Sequence, residues 1–202
     1  MQNTGTKVLY SPMSDSVCAW TAPQAALSAG AAPLNSELIQ VVWYGAGSLF
    51  RIEKSIDGGN SWITAGTSLY QGFMDNAVTD QPACYRVISY IPDGDAAPSN
   101  TTCTAAPAAP SEVRQTVIDA STVELRWTDN SRVEDGYEIR DRYPDCFYDW
   151  DGTEYCYGYY EYVVAVLPAN TNTYRMASGS MFAPVVYAMK DAGYSTGGSL
   201  AP

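Results

Sequence analysis

The chain has 202 residues, 46% hydrophobic and 16% charged, with a formal net charge of −11 and no histidine. Such a composition is globular, not disordered, and the length suits one large core or two of ordinary size. Acidity without a basic cluster weighs against nucleic acid and anionic membrane surfaces as partners. The absence of histidine removes Ser-His and Cys-His nucleophiles and every histidine metal site.

Tyrosine occurs 16 times against four phenylalanines. A chain rich in Tyr, Thr, Ser and Val, with few long helix formers, is expected to be all-β. Residues 1–33 are the least regular part, an N-terminal segment expected to include part of the first unit's first strand. Lys7 to Tyr10 and Val17 to Trp20 are candidate short strands, and Ala25 to Pro33 reads as small-residue loop or edge material. The uncharged stretch Ser16 to Ser36 is interrupted by Pro23, Gly30 and Pro33, so no spanning helix and no membrane insertion are expected.

From Leu38 onward the period becomes clear. Ile39, Val41 and Trp43 alternate with polar or outward positions, as a strand with one buried face does. Phe50 to Lys54 is the next strand, Asp57-Gly58-Gly59-Asn60 a hairpin turn, and Trp62 to Ala65 the return. Cys84 to Tyr90 follows, then a turn at Pro92 to Asp95 and a closing strand from Ser99 to Thr104. Residues 105–109 form a short Ala/Pro linker expected to be stiff.

A second unit repeats the plan over 110–202. Its strands are Glu112 to Ile118, Val123 to Thr128, Tyr137 to Tyr143, Tyr160 to Leu167, Thr173 to Ala177 and Val185 to Lys190, with a short closing strand near Tyr194. Val123, Leu125 and Trp127 mirror Ile39, Val41 and Trp43, and the two tryptophans stand 84 positions apart. That period suits sandwiches of about 90–100 residues.

Leu125 to Ser131, Glu134 to Arg140, Pro168 to Tyr174 and Ala192 to Ser195 together resemble the fibronectin type III domain in its bacterial form. Phe50 to Lys54, Cys84 to Tyr90 and Ala97 to Asn100 resemble the same positions in residues 34–104. The resemblance implies an all-β chain of two tandem immunoglobulin-like sandwiches. It also implies that the last two strands of the first unit pair, which would let Cys84 bridge Cys103. Two departures stand out: an insertion at 142–159, and Pro184 where the family continues a strand.

Five cysteines are present and no Cys-x-x-Cys. Cys146 and Cys156 bracket nine residues, and a bridge between them would close that loop. Two bridges imply an oxidising, extracytoplasmic compartment, whether periplasm, cell surface or medium. Cys18 is left as a free thiol, buried or joined to another chain. Asn100-Thr101-Thr102 matches a glycosylation sequon, but a strand-edge asparagine explains it more simply.

The insertion mixes rings and acids. Phe147, Tyr148, Trp150 and Tyr155 alternate with Asp149, Asp151 and Glu154, and Asp151-Gly152 reads as a two-residue hairpin turn. A closed aromatic hairpin offers contact area at low entropic cost, so Tyr148, Trp150, Tyr155, Phe147, Asp149 and Asp151 are the candidate binding residues for a partner protein. The competing reading is that the rings cover their own sheet. Carbohydrate is a second ligand class by the same stacking logic. Asp149, Asp151 and Glu154 have a calcium-like spacing without the remaining oxygen ligands, so no metal and no cofactor is expected. A carboxylate pair for glycoside hydrolysis exists on paper, but small sandwiches offer no deep cleft. The expectation is a non-catalytic binding or scaffolding protein, such as an accessory subunit of an envelope complex or a surface or adhesion module.

Overall fold

The computed structural model describes residues 23–179 and 181–200. Lys7 to Tyr10, Val17 to Trp20 and Cys18 lie outside the described residues. Among the described residues every regular element is a β-strand. The first eight are β1 (Ala26–Asn35), β2 (Leu38–Gly45), β3 (Phe50–Ser55), β4 (Ile63–Ser68), β5 (Gly72–Asn76), β6 (Ala83–Ile91), β7 (Gly94–Asp95) and β8 (Thr102–Thr104). They form two sheets, β1-β2-β5 and β4-β3-β6, with β7 and β8 both paired to β6.

Period-2 alternation is what closes these sheets on each other. Ile39, Val41 and Trp43 of β2, Phe50 and Ile52 of β3, and Tyr85 and Val87 of β6 are all buried in one cluster. Trp43 meets Phe50 edge-on, with ring centroids 5.3 Å apart. The Tyr85 hydroxyl reaches the rim, where it donates to Asp75 at 2.6 Å beside the Lys54–Asp75 ion pair. Burying the ring while hydrogen-bonding its hydroxyl avoids an unpaired polar group in the core.

Residues 25–33, read as loop or edge material, fall largely in the ten-residue edge strand β1. Small side chains suit it, because Ala29 packs directly into the core. Asn100 explains how the edge is finished. Its side-chain oxygen accepts from Ala29 N at 2.8 Å and its amide donates to Ala29 O at 3.0 Å, continuing the ladder with a side chain. Cys84 is bonded to Cys103 across the paired strands β6 and β8.

The second set comprises β9 (Ser111–Val117), β10 (Thr122–Thr128), β11 (Gly136–Tyr148), β12 (Glu154–Pro168), β13 (Thr173–Ala177), β14 (Pro184–Lys190), β15 (Gly193–Tyr194) and β16 (Gly198–Ser199). Its sheets are β13-β10-β9 and β12-β11-β14, with β15 and β16 both on β14. The strand order repeats that of the first set. Val123, Leu125, Trp127, Tyr137 and Ile139 are buried together, and Trp127 meets Tyr137 at 5.5 Å. Pro184 is the first residue of β14, a position where a missing N–H interrupts no ladder.

The two sets meet through polar contacts. Thr104 Oγ1 donates to Asp191 Oδ2 at 2.8 Å, and Thr196 N donates to Ser36 Oγ at 3.0 Å. Gly193 is required at this seam, since a Cβ there would lie 2.0 Å from the carbonyl oxygen of Pro33. Ala105 and Ala106 of the connecting segment are buried, so it is packed between its neighbours.

Candidate binding site

The insertion is not a separate loop. β11 and β12 run as one antiparallel pair from Gly136↔Pro168 out to Tyr148↔Glu154, so residues 142–159 prolong two sandwich strands beyond the core. The covalent clamp sits in register: Cys146 pairs with Cys156, and their sulfurs are bonded. The expected two-residue turn is instead a three-residue loop. Gly152 N donates to Asp149 O at 2.9 Å, Asp149 N donates to Thr153 O at 2.8 Å, and Gly152 has φ 84°. This is a type I turn followed by a left-handed glycine, and it places Trp150 at the apex.

Register sorts the side chains by face. Tyr143, Asp145 and Phe147 share one face with their partners Tyr160, Gly158 and Tyr155. An irregularity between Asp145 and Cys146 adds Tyr157 to that face, where it stacks on Phe147 at 5.1 Å. Phe147 and Tyr155 stack at 5.5 Å. Nearer the sandwich, Tyr143 stacks on Tyr160 at 5.7 Å and on Phe182 at 5.6 Å. The buried Asp141 carboxylate holds that last contact by accepting from Phe182 N and Ala183 N. The rings thus form two groups, separated by Asp145 opposite the bare Gly158.

The opposite face is charged at its base. Arg142 donates to Glu161 at 2.7 Å, Tyr187 OH donates to the same carboxylate at 2.9 Å, and Arg140 lies over the rings of Tyr187 and Tyr194. Burial works against the Glu161 charge, but the Arg142 and Tyr187 bonds outweigh it and hold the carboxyl below its ordinary range. The same bonds raise the Arg142 guanidinium against its own desolvation. These ions rigidify the root of the hairpin, where the arginines Arg140 and Arg142 are both paired to carboxylates.

All six residues expected to bind lie on the hairpin. Phe147, Tyr148, Trp150 and Tyr155 are exposed, Trp150 at 93%, although Phe147 and Tyr155 also stack on each other across the hairpin. Asp149 and Asp151 flank the apex. Thr153 N donates to Asp151 Oδ1 at 2.9 Å and Tyr148 OH donates to Glu154 at 3.0 Å. The Thr153 bonds lower the Asp151 carboxyl, and the Glu154 bond raises the Tyr148 phenol. Asp149, Asp151 and Glu154 do not converge. Among the described residues, the ligand-type atoms within 4.8 Å of one another are Cys146 Sγ, Cys156 Sγ and a Glu154 oxygen, and both sulfurs are in the disulfide.

One feature of the molecule has no sequence signal. A cavity of about 460 Å³ opens where the two sets of strands meet, lined by Thr104, Arg132, Glu134, Asp135, Lys190 and Asp191 among others. Its residues come from four distant segments, Pro82 included, and only their assembly reveals it. No hairpin residue lines it.

No family model matches the chain, and no curated protein does. Among solved structures it is similar to the FN1-FN3 domains of chicken CNTN1, at 15% identity and a TM-score of 0.47, over 87% of this chain and 66% of that one. It spans just under two thirds of that protein's length. It is also similar to the two-domain fibronectin type III segment of chicken tenascin, at 11% identity and a TM-score of 0.38, over 86% and 96% of the two chains. A third likeness is an Fn3-like protein from Clostridium thermocellum, at 19% identity and a TM-score of 0.36, over 41% and 92%. These are likenesses of fold alone. By its own strand order, the chain is all-β: two tandem fibronectin-type-III-like sandwiches, the second carrying a disulfide-closed aromatic hairpin.

Proposed function

We propose that this is a non-catalytic, extracytoplasmic binding or scaffolding protein that engages a partner protein through the β11–β12 hairpin. The observation that carries the reading is the exposure of the disulfide-pinned rings, with Trp150 at 93%. An apolar surface of this kind, outside any core, is the usual mark of an interaction site. Rigid aromatic anchors at an apex are the residue types that dominate interface energetics, and the flanking acids favour a basic counterpart. Two formed disulfides support an oxidising compartment, and no helix among the described residues is long and apolar enough to cross a membrane. Service as an accessory subunit of an envelope complex, or as a surface or adhesion module, fits this reading.

The test is co-purification from the native source with the wild type and with Trp150→Ala. Loss of a specific protein from the variant, at unchanged melting temperature, supports the proposal. Retention of every partner overturns it. Trp150-dependent retention on a glycan array, with no protein partner, would reassign the surface to carbohydrate.

A further inference from the structure

β12 is the last strand of its sheet: among the described residues it pairs with β11 and with no other strand. A terminal strand leaves a row of backbone N–H and C=O groups unpaired, which templates another strand. The other sheet-end strands are shorter or partly covered: β5 and β13 have five residues, β4 six, and β9 seven with Val113 bridged to Leu200, while the ladder of β1 is continued by Asn100. β12 is 15 residues long, and Tyr155, Tyr157, Tyr159, Tyr162, Val163 and Val166 along it are exposed. It carries no lysine, and its proline, Pro168, is the final residue. Irregularities place the extra residues at Tyr157 and Val164, leaving 158–163 as a regular run.

Charge says what could lie there. From Pro144 to Gly158 the hairpin holds Asp145, Asp149, Asp151 and Glu154 and no Lys or Arg. Asp145 faces Gly158 across the β11–β12 ladder, and a Cβ built on Gly158 would meet nothing within 4 Å. Strands lie about 4.8 Å apart, so a strand beyond β12 stands about 10 Å from β11. A Lys or Arg beside Gly158 can cross that bare glycine to Asp145. A second copy pairing through its own β12 brings no such cation, because β12 contains neither Lys nor Arg.

We propose that the free edge of β12 receives an extended, basic strand of a partner protein, hydrogen-bonded along 158–163, with a cationic side chain over Gly158 reaching Asp145. This deepens the protein-binding reading and rests on it, while specifying the mode.

The probe is a fluorescently labelled nine-residue peptide alternating Lys and Thr, titrated into the full chain by anisotropy at low salt. Two versions carry backbone N-methyl groups, at odd or at even positions, and a third has Glu for Lys. The expected result is saturable binding, a loss of at least tenfold with one N-methylated version and little with the other, and no binding of the Glu peptide. Asp145→Asn weakens binding several-fold, and hydrogen exchange shows β12 amides that are fast in the free chain and protected in the complex. Absence of saturable binding overturns the proposal, as do two N-methylated versions that bind like the parent. Slow exchange along β12 in the free chain would mean that its own chain or a second copy covers the edge, with sedimentation velocity telling them apart; either also overturns it. If partner capture depends on Trp150 while N-methylation is without effect, strand addition fails and the proposed function stands.

Discussion

Asp80 Oδ1 accepts a 2.9 Å hydrogen bond from Ser131 Oγ, 51 positions further along the chain. The same carboxylate accepts from Ala108 N at 3.0 Å and from Arg132 N at 3.1 Å. Asp80 N donates in turn to Ala106 O at 2.8 Å, from a left-handed backbone with φ 60°. One side chain therefore ties the last turn before β6 to the connecting segment and to the loop between β10 and β11. The stiffness expected of the Ala/Pro linker has a second source, since the segment is hydrogen-bonded at both ends of Asp80.

Asp80→Ala removes three acceptor contacts and leaves half-buried donors unpaired. The expected loss is about 1–3 kcal/mol. Thermal melting should fall accordingly, and small-angle scattering should show a broader distribution of inter-unit distances. An unchanged scattering profile would show that the seam is held elsewhere.

Trp127 and Trp150 should behave oppositely. Trp127 is 5% exposed and packs on Tyr137, with no partner for its Nε1 among the described residues, so it serves as a buried hydrophobe. Trp127→Ala should cost about 3–5 kcal/mol by urea unfolding. Trp150→Ala should stay within about 0.5 kcal/mol of wild type. A large loss at Trp150 would mean that the apex is packed in solution.

The two disulfides differ in loop length, with sequence separations of 19 for Cys84–Cys103 and 10 for Cys146–Cys156. Loop closure gives the longer one about 0.5 kcal/mol more, on a base of about 2–3 kcal/mol. Replacing Cys84 and Cys103 by Ser should therefore lower the melting temperature more than replacing Cys146 and Cys156. The hairpin double variant should instead show faster hydrogen exchange confined to 144–158.

Stability should fall at both extremes of pH. The Ser55 and Ser61 bonds hold the Asp57 carboxyl well below its ordinary value, and the Lys190 and Asp191 bonds lower that of Asp135. A lowered carboxyl stabilises fully above the unfolded value, about pH 4, and loses that contribution as pH falls through the folded value. Burial first, then the Asp75 bond, pushes the Tyr85 phenol up, and burial with Asp129 does the same to Tyr137. A raised phenol stabilises below about pH 10 and ceases to as pH rises. Absorbance near 295 nm should show two tyrosines that ionise only as the chain unfolds in alkali.

Alternation was enough to read the strands around Trp43 and Trp127, because a strand with one buried face must repeat every two residues and both units do so. The resemblance marked the ring-rich insertion, and the spacing of Cys146 and Cys156 suggested the bridge that closes it. Alternation could not show β1, since a run of Ala, Ser and Gly has no period until a neighbouring strand and Asn100 supply its hydrogen bonds. Nor could it choose between rings covering a sheet and rings in solvent. That depended on β11 and β12 continuing straight past the edge of the core, a matter of where the sandwich ends. The Asp80 tether, the required Gly193 and the cavity beneath Glu134 belong wholly to tertiary structure. Each joins residues many positions apart, and no local pattern in a chain encodes which distant backbone will come to rest against it.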